Sequence, residues 1–166
     1  MRYVAGALIA FLLAIVQASS VEQFHILGVT PNLMLVFLVS WLVVRGVDDA
    51  LPMIGVSAVT LGLVGMQDPG LVLLAMVPLA LLGLVREMHV IHSETLLVLA
   101  LVASASAAYE TVLLGGIVVS ELGGDVLLGM RSLVVPAMIV NLALALPIYL
   151  PMRLARPAPR RGWLAG

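Results

Sequence analysis

Six apolar runs divide the chain, at about 3–21, 29–44, 50–66, 69–85, 94–119 and 132–152, and polar residues gather in the short stretches between them. Within each run the apolar residues are continuous rather than alternating, which excludes a membrane β-barrel and leaves the α-helix as the spanning form. The runs therefore predict six helices. A span takes about 20 apolar residues to cross about 30 Å of hydrocarbon, so six spans occupy roughly 120 of the 166 positions. The remainder is too short for a nucleotide-binding domain, a folded receptor head or any other large module outside the membrane. Capping chemistry marks the starts: Thr30-Pro31 and Asp68-Pro69 each offer a side-chain oxygen followed by a proline in the first turn. Asp49 with Pro52, and Ser93 with Glu94, mark the third and fifth helices in the same way. The expectation is an all-α polytopic membrane domain of six transmembrane helices over 1–152, followed by an Arg/Pro-rich cytoplasmic tail over 153–166.

Composition agrees with the pattern. The chain is 63% hydrophobic and 10% charged, with a mean hydropathy of +1.21, against about 25% charged residues in soluble domains. Its net charge of −1 is unremarkable, but all 8 basic residues are Arg. With the N-terminus cytoplasmic, Arg2, Arg45, Arg86, Arg153, Arg156, Arg160 and Arg161 lie inside and Arg131 alone lies outside. That asymmetry predicts cytoplasmic N- and C-termini and an even number of spans. The start has the charged beginning and small-residue end of a signal peptide, yet five further spans argue for a retained first helix. Cysteine is absent, which removes disulfides and thiolate metal sites.

Ionisable residues at membrane depth are costly and point to function by default, and Glu110 is the clear case. On the fifth helix Ala100, Ala103, Ala107, Glu110 and Leu114 recur at three- and four-residue spacing, flanked by Ser104, Ala108, Thr111 and Gly115. Small residues permit close helix approach in lipid, so this stripe, including the run Ala103-Ser104-Ala105-Ser106-Ala107-Ala108, is expected to face a neighbouring helix, with Glu110 directed into the bundle or a cavity. There it acts as a ligand contact, a proton carrier or an anchor for a partner helix, or as a structural glutamate that is protonated or paired with Arg131. Asn141 on the sixth helix can hydrogen-bond between helices, and Gly55, Gly62 and Gly65 on the third read as close-packing positions. His89 and His92 with Glu87 and Glu94 form a polar loop that lacks the ligand set of a zinc site. No nucleophile elbow, His-Glu-x-x-His or paired intramembrane carboxylate occurs. The reading is a protein without catalysis, cofactor, metal or nucleic-acid partner. The arginines of the tail are stop-transfer charges, with contact to anionic membrane lipid as the functional alternative.

The segment Leu27-Gly28-Val29-Thr30-Pro31-Asn32-Leu33-Met34-Leu35-Val36-Phe37-Leu38-Val39-Ser40-Trp41, followed by Arg45-Gly46, resembles the rod shape-determining protein MreD family. The sixth helix, with Pro136, Asn141, Pro147 and Arg153, is similar to that family's ending. The end of the third helix, Gly62 to Gly70, departs from the family pattern in being shifted and shortened. The resemblance implies a non-catalytic scaffold in the bacterial inner membrane, serving cell elongation and peptidoglycan synthesis. Its implied partners are the single-span protein MreC and, with it, RodA and a class B penicillin-binding protein. It also implies the fold of the substrate-binding subunits of energy-coupling-factor vitamin transporters. That kinship supplies the alternative function, a small-molecule binding subunit of a membrane transporter. Glu110, Tyr109, Asn141, Arg131 and Trp41 are the candidate packing, partner or cavity residues under either reading.

Overall fold

The computed structural model describes residues 2–19, 25–65, 68–87, 93–120 and 126–155, and all of its regular elements are helices. In chain order they are α1 (Arg2–Ser19), α2 (Leu33–Arg45), α3 (Val47–Val64), α4 (Pro69–Glu87), α5 (Glu94–Ser120), α6 (Val126–Gly129), a π-helical turn (Met130–Val134) and α7 (Val135–Leu154). The last three run on as one apolar helix. Pro136 causes the π turn: it has no N–H to give to the carbonyl four residues back, and the Val135 N–H bonds instead to the Met130 carbonyl, five residues back.

Three of the described helices are long and apolar enough to cross a membrane: Val47–Val64, Glu94–Val119 and Val126–Leu154. Gly6–Ser19, Leu33–Arg45 and Pro69–Gly83 are shorter apolar helices. The surface is apolar where a soluble protein would be polar. On α1, Val4, Leu8, Ile9, Phe11, Leu12 and Val16 are all exposed. With this outer face and these lengths the chain is a membrane protein.

Contacts at the helix ends give the arrangement. A Cβ on Gly62 of α3 would lie 2.5 Å from Pro69 Cα, so α3 and α4 meet where they are joined. Gly116 near the end of α5 abuts Leu71 at the start of α4, and Gly83 near the end of α4 abuts Val47 at the start of α3. Arg153 at the end of α7 pairs with Glu94 at the start of α5, at 3.6 Å. One end of the bundle therefore carries the α2–α3 corner, the start of α5 and the end of α7, and with them Arg45 and Arg153. Arg131 belongs to the other end.

The central element is α2. At 13 residues and about 1.5 Å per residue it is about 20 Å long, and Met34, Leu35, Val36, Leu38, Val39, Ser40, Leu42, Val43 and Val44 are buried. Around it Met53, Met76, Leu79, Val98, Val102 and Tyr149 complete a dense core.

Several expectations are corrected. The second helix begins at Leu33 rather than 29, and its cap is Asn32, whose Oδ1 accepts the Leu35 N–H, rather than Thr30. The third begins at Val47, which leaves Asp49 in its first turn and Pro52 inside it. Asp68 does cap α4, accepting the Gly70 N–H at 2.7 Å and the Leu71 N–H at 3.2 Å, and Ser93 accepts the Leu96 N–H at 3.4 Å on α5. Gly62 is a close-packing position, whereas a Cβ at Gly55 would meet nothing within 4 Å. The loop with His89 and His92, and the tail beyond Ala155, lie outside the described residues.

Candidate functional site

The start of α2 stands at mid-depth in the bundle, not at its end. Asn32 is tied to Asn141, which stands well inside α7, and Asn141 in turn to Ser106, halfway along α5. The chain before Asn32 therefore has to enter the apolar bundle without helical hydrogen bonds, which lipid does not tolerate; such backbone persists where protein buries it or a cavity hydrates it. Both conditions are met. Residues 26–29 reverse tightly, with Leu27 and Gly28 at φ 56° and 79° and the Ile26 and Val29 backbones exchanging bonds of 2.9 and 3.1 Å. Two successive positive φ angles are the requirement of a I′ turn.

Side chains from two helices, and the cap residue itself, then satisfy the descending segment. From α1, Gln17 Nε2 donates to the Pro31 carbonyl and Gln17 Oε1 accepts the Leu33 N–H, both at 2.9 Å. From α7, Asn141 Oδ1 accepts the Asn32 N–H at 2.8 Å, while its Nδ2 donates to Ser106 Oγ at 3.1 Å. Asn32 Oδ1 accepts the Leu35 N–H at 2.9 Å. Donors at the start of α2, which an isolated helix would leave unpaired, are thus filled by the protein's own side chains.

Above this frame lies a cavity of about 440 Å³ lined by Gln17, His25, Gly28, Val29, Thr30, Asn32, Tyr109, Glu110, Leu113, Leu133 and Ala137. Its size falls within the ordinary range for ligand pockets, about 300–1,000 Å³. Glu110 is half-buried on its wall, next to the buried Tyr109. Neither a hydrogen bond nor an ion pair engages the Glu110 carboxylate among the described residues.

The candidate residues separate accordingly. Glu110 and Tyr109 line the cavity, and Asn141 is fully buried in the frame that forms its floor. Arg131 is exposed on the π turn and does not pair with Glu110; the ion pair that forms is that of Glu94 with Arg153. Trp41 is remote from the cavity, half-buried against Phe37 with ring centroids 5.6 Å apart and the Arg45 guanidinium 5.4 Å from its ring. The small-residue stripe of α5 packs in part: Ala105, Ser106 and Leu114 are buried and Ala103, Ala107, Ala108 and Glu110 half-buried, whereas Ala100, Ser104, Thr111 and Gly115 are exposed, and Val98, Leu101, Val102 and Tyr109 complete the buried face. Ser104 and Thr111 satisfy their hydroxyls on their own helix, at Ala100 O and Ala107 O, so they do not need a neighbouring helix.

Gln17 and His25 were not singled out by sequence reasoning as site residues, and Thr30 and Ser106 were read only as a helix cap and as part of a packing run. Gln17 had the clearest signal, a primary amide at the end of an apolar helix with no soluble domain to serve.

Compared with known family models, curated proteins and solved structures, the chain matches none.

Proposed function

We propose that this chain is a non-catalytic membrane scaffold of the bacterial elongation machinery, of the MreD kind, which holds the membrane helix of an MreC-like single-span protein. RodA and a class B penicillin-binding protein belong to the same assembly. The observation that carries this reading concerns the stretch from Pro31 to Gly46, where the resemblance is concentrated. It forms the buried central helix on which α1, α3, α4, α5 and α7 all pack, and its entry is fixed by Gln17 and Asn141. The motif is thereby tied to the framework of the bundle, as a scaffold requires, and the exposed apolar side chains of α1 and α7 offer surfaces to lipid and to partner helices. In this reading the chain spans the bacterial inner membrane six times with both ends cytoplasmic. The arginine asymmetry supports that orientation, and the fold is akin to that of the vitamin-binding subunits.

A specific observation favours a second reading. The cavity brings Gln17, His25, Thr30, Asn32, Tyr109 and Glu110 together, and convergent polar groups in a concave site are what a small-molecule binding subunit needs. Affinity purification from native membranes with mass spectrometry separates the two. Recovery of an MreC-like protein with cell-wall synthases supports the scaffold; recovery of a pair of ATPases instead overturns it.

A further inference from the structure

We propose that the cavity between α1, α5 and α7 binds a primary ammonium group, carried by a lipid headgroup or by a small free amine, with the Glu110 carboxylate as its counter-charge. The proposal is independent of the scaffold reading and names the ligand class for the second reading.

Three observations converge on it. The first is charge. Glu110 is a carboxylate on the wall of a partly open cavity in an apolar bundle, and among the described residues no hydrogen bond or ion pair engages it. Of the basic residues at that end of the described bundle, Arg131 is exposed and elsewhere, and His25 lines the same cavity but forms no ion pair with Glu110 among the described residues. A carboxylate at membrane depth is costly without a partner, and the space beside it is open to a ligand. The second is the exclusion of an anion. A helix start inside a bundle would ordinarily attract an anionic group, but at α2 the N–H groups of Asn32, Leu33 and Leu35 are occupied by Asn141, Gln17 and Asn32. The third is the ligand set: Glu110 is not part of any group of three or more His, Asp or Glu side chains among the described residues, so its carboxylate stands as a single counter-charge rather than one of a metal-binding cluster.

What remains around the carboxylate suits an ammonium with a short apolar stem. Gln17, Thr30, Asn32 and Tyr109 line the cavity together with Glu110, and Val29, Leu113, Leu133 and Ala137 give it an apolar wall. An ammonium has three donors and no acceptor, which suits a carboxylate that shares its cavity with oxygen-bearing side chains.

The test uses the full chain in phosphatidylglycerol nanodiscs, titrated calorimetrically with hexylamine and with hexanol, its neutral counterpart of equal length. The expected result is saturable binding of hexylamine at one site per protein, at least ten-fold tighter than hexanol. Glu110→Gln should weaken hexylamine at least ten-fold and leave hexanol unchanged. Leu133→Trp, which fills the cavity without touching the charge, should weaken both, and circular dichroism of each variant should match the parent. Replacing half of the phosphatidylglycerol by phosphatidylethanolamine separates the sources. A weaker apparent affinity for hexylamine means that the headgroup ammonium occupies the site; an unchanged affinity means that the site takes free amines. Equal affinity for hexylamine and hexanol, or unaltered hexylamine binding by a folded Glu110→Gln protein, overturns the proposal.

Discussion

The two ends of α2 face different kinds of interior. Along its length, Leu35, Leu38 and Leu42 pack with Met53, Met76, Leu79 and Val98 in one apolar cluster. Beyond its first residue the interior holds Gln17, Asn32, Asn141 and Ser106, linked by hydrogen bonds, and then an open cavity. The first region fixes the fold by shape. The second fixes one short strand by hydrogen bonds and leaves space beside it. The contrast shows how a bundle of this composition makes a cavity: it stops a helix at mid-depth, satisfies the freed backbone with amide side chains, and leaves one carboxylate on the wall without a partner among the described residues.

The largest expected effect lies on the dry side. Leu38 is fully buried, and truncation of such a residue removes packing contacts and leaves a void, at a cost of about 2–5 kcal/mol. Leu133, on the cavity wall and 40% exposed, borders space already, so its truncation should cost within about 0.5 kcal/mol. Equilibrium unfolding of Leu38→Ala and Leu133→Ala in mixed micelles checks the difference; equal losses would erase the distinction between the two regions.

An intermediate effect belongs to the frame. Asn141→Leu removes the acceptor of the Asn32 N–H and the donor to Ser106, and leaves a buried donor unpaired at a cost of about 1–3 kcal/mol. The loss should be local as well as global. Amide exchange at Asn32 should rise in the variant more than exchange at Leu42, deep in the dry core. A uniform rise along α2 would show that the hydrogen-bonded frame does not act as a separate unit.

The same contrast explains what could be read from sequence. The helices follow from uninterrupted apolar runs, because runs of that length leave the backbone no other way to bond in lipid. The helix starts at Asp68 and Ser93 were legible because a polar cap directly precedes a run. The start of α2 was misplaced because Val29, Thr30 and Pro31 continue the apolar pattern while the backbone is still extended; that choice is made by Gln17 and Asn141, distant in sequence. Glu110 stood out as a charge in an apolar helix. Its surroundings did not, since the α5 stripe suggested close packing along its whole length, while Val98, Leu101 and Val102 share the buried face with Ala105 and Ser106 and leave Ala100, Ser104, Thr111 and Gly115 exposed. Arg131 lies on a π turn that displaces it around the helix, and no local pattern places it relative to Glu110.

The smallest effect on stability is expected at Glu110 itself. A glutamate clamped between helices would tolerate Gln and suffer from Leu, because leucine would crowd small neighbours and remove the polar group. Glu110 instead borders a cavity of about 440 Å³, which has room for either side chain, and it has no internal hydrogen bond to lose among the described residues. Glu110→Gln and Glu110→Leu should therefore each change the unfolding free energy by no more than about 0.5 kcal/mol, and leucine, better suited to an apolar bundle, should be the equal of glutamine. The two variants should instead resemble each other in losing whatever binding depends on the charge. A leucine variant destabilised by about 2 kcal/mol or more, with glutamine harmless, would mean that the cavity closes around residue 110 in the membrane; the site would then be part of the packed core, and the difference between the two ends of α2 would disappear.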